Sequence, residues 1–79
     1  MNAKEIVIKV KAEPFEPFLV VTSAGDRYEV RHPENLQVVK SGTLYIFSPT
    51  DDDEAMVESP VIVGLHQVAS LEPSPNTAA

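Results

Sequence analysis

With 79 residues the chain has room for one domain and too little for two. It has no cysteine, which excludes disulfides, thiolate chemistry and cysteine-type zinc sites and fits a reducing compartment. The formal net charge is −6: residues 1–40 hold six basic and six acidic side chains, residues 41–79 six acidic ones and no Lys or Arg, which argues against nucleic-acid or anionic-lipid partners.

The core of so short a chain is thin, so self-association, as a homo-oligomer, is an expected aid to stability. The longest apolar runs, such as Phe18–Val21 and Val61–Leu65, are four or five residues. A membrane span needs about 20. Met1-Asn2-Ala3-Lys4-Glu5 includes an acid and no apolar h-region, so no signal peptide is expected and a bacterial-type cytoplasmic setting is the default.

Residues 4–11 are ambiguous. Ile6, Ile8 and Val10 alternate with Val7, Lys9 and Lys11, as in a strand, whereas Ile6, Val7 and Val10 share one face of a short helix. β-Branched content favours the strand. Pro14 and Pro17 end the element. Phe18–Thr22 is expected to be a strand, Gly25-Asp26 a two-residue type II′ turn and Arg27–Arg31 the return strand. His32-Pro33-Glu34-Asn35 is a turn in which Asn is suited to left-handed backbone. Leu36–Lys40 and Thr43–Ser48 flank a second tight turn at Ser41-Gly42. Pro49–Asp53 is a polar loop, and Glu54–Val63 one bent strand or two short ones with Pro60 at an edge or bulge. Gly64–Gln67 is a turn and Val68–Glu72 the last strand. Residues 73–79 are expected to be a disordered tail.

Five or six short strands joined by tight turns predict a mainly β domain over residues 1–72. Its expected form is a small antiparallel SH3-like barrel or roll. Pro14-Phe15-Glu16-Pro17-Phe18, then Gly25-Asp26-Arg27 and Val30-Arg31-His32-Pro33-Glu34, resemble a group of short uncharacterised bacterial proteins with a PFxPF … DGR … VxHPE layout. The resemblance covers roughly residues 5–72 and implies a short amphipathic helix over residues 3–11, against local propensity. It implies no activity. The chain departs from the layout in its Ile6, Val7, Ile8, Val10 segment, where the relatives are Leu-rich, and in a longer acidic loop around Asp51–Glu54.

Among candidate functional residues, His32 is the most suggestive. Histidine is the residue type suited to acid/base or ligand roles at neutral pH, and this one lies beside Arg31 and Glu34, so His32, Glu34 and Arg31 form the candidate binding group. The competing role is a turn histidine bonding local backbone. His66 lacks a spacing that would pair it with His32. Asp51-Asp52-Asp53-Glu54 is contiguous, whereas a calcium loop alternates its acids around a glycine, so a solvated acidic loop is expected. Phe15 and Phe18 are expected to plug the barrel end rather than serve as a PPII ligand. Tyr45 and Phe47 alternate like a base-stacking platform but lack basic neighbours. With three glycines and no Gly-x-Ser-x-Gly or His-Glu-x-x-His, no catalytic residue, metal ligand or cofactor is assigned. The leading expectation is a binding or structural module acting through protein contact, including contact with a second copy. The alternative is a small metal-dependent or acid/base enzyme using His32 with nearby carboxylates. A nucleic-acid binder using Lys4, Lys9, Lys11, Arg27 and Arg31 ranks last.

Overall fold

The structure, a computed structural model, describes residues 1–47 and 60–75. Helix α1 spans Ala3–Lys11. Its start is set by Asn2, whose extended backbone (φ −89°, ψ 135°) lets the side chain accept from the Lys4 N–H at 2.9 Å. Glu5 lies in the first turn and Lys9 and Lys11 in the last, each complementing the helix dipole. Ile6 is fully buried, Val7 and Val10 are half-buried, and Ile8 is 68% exposed. The helical face wins over the strand suggested by propensity, because it lets Ile6 and Val10 reach one core together. The chain then passes a cis Glu13–Pro14 peptide before entering the sheets.

Two three-stranded antiparallel sheets follow. The first has the order β2–β1–β6, with β1 at Phe18–Thr22, β2 at Arg27–Val30 and β6 at Val68–Pro73. The second has the order β3–β4–β5, with β3 at Leu36–Val39, β4 at Thr43–Ile46 and β5 at Val61–Gly64. A 3₁₀ turn at Pro33–Asn35 carries the chain from β2 to β3, and another at Leu65–Gln67 carries it from β5 to β6. The mainly β, roll-like expectation therefore holds. Among the described residues no ladder joins the two sheets. Ser48 and residues 54–59, expected to lie in strands, fall outside the described residues, as do Pro49–Asp53.

Both hairpin turns correct or refine the sequence reading. Val21 pairs with Arg27, and Thr22 N–H donates to the Asp26 carbonyl at 2.9 Å. The loop is therefore Ser23-Ala24-Gly25, closed by Gly25 N–H to Thr22 O at 2.9 Å. Gly25 does supply the positive φ (+93°), but as the last residue of a three-residue loop, not the first of a two-residue II′ turn. Lys40-Ser41-Gly42 repeats the device: Gly42 has φ +93° and donates to Val39 O at 2.9 Å. Asn35 is not left-handed, since no non-glycine described residue has positive φ. Its side chain works instead, accepting from the His32 N–H at 3.1 Å.

One core lies between the sheets and under α1. It is built from Ile6, Phe18, Val20, Val30, Leu36, Leu44, Ile46, Val63 and Val68. Phe18 is 1% exposed, and Phe15 packs on it with ring centroids 6.1 Å apart and planes tilted by 57°. Both rings thus pack on the core, Phe18 within it and Phe15 against it. The ordered chain runs beyond residue 72, where the sequence suggested a tail. Pro73 pairs with Phe18, and Ser74 is 3% exposed, with its N–H donating to Pro17 O at 3.2 Å and its hydroxyl bonded to Glu29. None of the described helices is long and apolar enough to cross a membrane.

Candidate functional site

The three residues singled out by sequence chemistry lie at the β2–β3 joint. His32 is exposed and precedes the Pro33–Asn35 turn. Its backbone, rather than its imidazole, shapes that turn: His32 N–H donates to Asn35 Oδ1, and its carbonyl accepts from Asn35 N–H at 2.9 Å. Arg31 is engaged next door, its Nε 3.0 Å from Glu29 Oε1. Glu34 is exposed on the turn. A shallow groove of about 570 Å³ begins beside Pro33 and runs along Val10 to Phe15, with Lys11 and Glu13 offsetting each other in charge.

His66 belongs to the other 3₁₀ turn, between β5 and β6. Among the described residues no three His, Cys, Asp or Glu side chains gather where a metal ion would be held. The Asp51–Glu54 loop lies outside the described residues.

Strand alternation assigns each sheet an inner and an outer face. On the β2–β1–β6 sheet the outer face carries Arg27 and Glu29, Leu19 and Val21, Ser70 and Glu72. Arg27 forms an ion pair with Glu72, so the bridge crosses β1 over Leu19 and Val21, and Val21 is only 9% exposed. Glu29 is held between Arg31 and the Ser74 hydroxyl. This face is charged, paired and covered.

The β3–β4–β5 sheet has a different outer face. Gln37, Tyr45 and Ile62 form one cross-strand row, and Val39, Thr43 and Gly64 form the next. None of the six is charged. Ile62 is 63% exposed and Val39 37% exposed, and Tyr45 lies half-buried between them. Two further strand positions on, Phe47 continues the Tyr45 side of β4 and is also half-buried. Sequence pattern did not reveal this face, because β3 and β5 present apolar residues on both sides: Val38 inward and Val39 outward, Val63 inward and Ile62 outward.

The described positions of this face are uncharged, and Ile62 stands exposed on its edge strand β5. Comparison with protein families, with curated proteins and with solved structures returned no match to this chain.

Proposed function

We propose that this chain is a small binding or structural module that acts by protein contact, without catalysis, in the cytoplasm. Its docking surface is the outer face of β3–β4–β5. The observation that carries the reading is Ile62, 63% exposed on an edge strand in a face of six uncharged positions. A surface isoleucine gains roughly 1.5–3 kcal/mol when fully covered, so its exposure in the free chain stores contact energy for a partner. The neighbouring sheet, by contrast, lays charged side chains beside its own outer apolar positions. His32, Glu34 and Arg31 belong to this proposal as flanking contacts at the β2–β3 joint.

Size-exclusion chromatography with light scattering tests the form in which a second copy is the partner. A dimer at high micromolar concentration that Ile62→Lys converts to monomer is the expected result for that form. A dimer that survives Ile62→Lys places self-contact elsewhere, and a clean monomer leaves contact with a different protein.

A further inference from the structure

A cavity of about 220 Å³ opens directly beside the proposed docking face, and Ile62 belongs to both. It lies between the β1–β2 hairpin and the end of β5. Its wall includes Ser23, Asp26, Tyr28 and Gln67. Among the described residues Asp26 is the only charged group that lines it. The Asp26 backbone is committed to the hairpin: its N–H donates to Thr22 Oγ1 at 3.1 Å and its carbonyl accepts from Thr22 N–H. The residue is therefore fixed in place, while its carboxylate has no ion pair among the described residues.

The nearest cation in sequence does not neutralise it. Arg27 reaches across the outer face of the first sheet to Glu72. Tyr28, next in the strand, presents a half-buried ring to the same cavity. The Gln67 side-chain oxygen is taken by the Gly64 N–H at 2.9 Å. A carboxylate without a counter-ion beside an aromatic ring selects for a cation, by Coulomb attraction and by the ring quadrupole. The wider field agrees, since the whole chain carries −6. That same charge opposes docking of a second copy at long range.

Resting on the contact module proposed above, we infer that this cavity receives an arginine or lysine side chain of a different protein, whose adjacent apolar residue settles on Ile62. Two neighbouring residues of one extended partner segment then share the work. The apolar one supplies burial, and the basic one supplies selectivity and a salt-dependent on-rate.

The test is an NMR titration of the full ¹⁵N-labelled chain with acetyl-Leu-Arg-Leu-amide, its citrulline analogue and acetyl-arginine-amide. The expected result is shift changes confined to residues 22–28 and 61–67, with a dissociation constant on the order of millimolar. The citrulline peptide is expected to bind about tenfold more weakly, and Asp26→Asn to remove that difference. Because the Asp26 side chain takes no part in the turn bonds, the variant keeps the hairpin, which its own spectrum reports. Equal binding of the arginine and citrulline peptides overturns the inference, and so does an arginine preference that survives Asp26→Asn. Acetyl-arginine-amide binding as tightly as the tripeptide assigns the cavity to a free small cation and overturns the partner assignment. Self-association abolished by Asp26→Asn seats a second copy's lysine there and does the same. The contact reading fails separately: Ile62→Ser then leaves tripeptide affinity unchanged, whatever the arginine preference does.

Discussion

The two sheets of this small roll share a core but treat water in opposite ways. The outer face of β2–β1–β6 lays an Arg27–Glu72 bridge and a Glu29–Arg31 pair around Leu19 and Val21. The outer face of β3–β4–β5 leaves Ile62 and Val39 exposed, and none of its six described strand positions is charged. Both faces contain apolar β-branched residues, so the contrast lies in their neighbours. In the first sheet cross-strand partners are long ionic side chains able to fold over the strand. In the second, Ile62 faces Tyr45 and Val39 faces Thr43, neither of them ionic. Exposed apolar surface is thus a local choice of cross-strand partner and does not follow from strand composition alone.

The strongest way to break this comparison is to show that the sheets are independent. Leu44 is fully buried in the second sheet and Phe18 nearly so in the first, within one cluster. Leu44→Ala and Phe18→Ala are each expected to cost about 3 kcal/mol. Amide protection in both sheets should fall together in hydrogen exchange. Loss confined to the mutated sheet would mean two separate cores.

Next in size are the turn glycines. Gly42→Ala is expected to cost about 1–2 kcal/mol in urea unfolding, because φ is +93° although space for a Cβ exists, with Leu65 Cβ at 3.9 Å. Gly64→Ala is the reverse case. Its φ is ordinary (−71°), but a Cβ would stand 2.7 Å from His66 Cε1. His66 is exposed and free to rotate away, so the cost should stay below about 1 kcal/mol.

Smaller again are the covering charges. Arg27→Gln is expected to cost at most about 1 kcal/mol, with the loss shrinking in high salt, since both partners are largely exposed (52% and 40%). It also uncovers Val21, so it should raise binding of a hydrophobic dye on the first sheet. The smallest stability effect belongs to Ile62→Lys, within about 0.5 kcal/mol, because its side chain already faces solvent. A large stability loss there would show that Ile62 is a core residue and sharpen the comparison against us.

Much of the framework was legible because alternation is a direct image of a two-sided sheet. Phe18, Val20 and Val30, and Leu44 with Ile46, all stand where that pattern predicts. The helix was harder. Ile6, Val7, Ile8 and Val10 prefer strands, and only a shared core face outweighs that preference. The Asn2 cap and the Glu5, Lys9 and Lys11 charges are local signs of a helix, while β-branching points to a strand and the expected helix came from the family resemblance. Gly25 announced a positive φ, yet one glycine does not reveal the loop length, which strand register decides. Ser74 looked like tail because serine and proline carry no apolar signal, while its burial depends on Glu29 and Pro17, distant in sequence. The candidate site was the least legible part. His32, Glu34 and Arg31 were chosen for side-chain chemistry, whereas the exposed face is defined by which side of β5 meets water. Asp26 reads in the sequence only as a turn residue, and its lack of an ion pair among the described residues goes with Arg27 being engaged by Glu72.

Strand β1 pairs with β2 across a short loop and with β6 from the far end of the chain. On the ribosome this has a consequence. The first hairpin can close as soon as Val30 emerges, but the other edge of Phe18–Thr22 stays bare until Pro73 has been made. The nascent chain therefore carries an open apolar strand from the time Val30 is made until β6 is made to seal it.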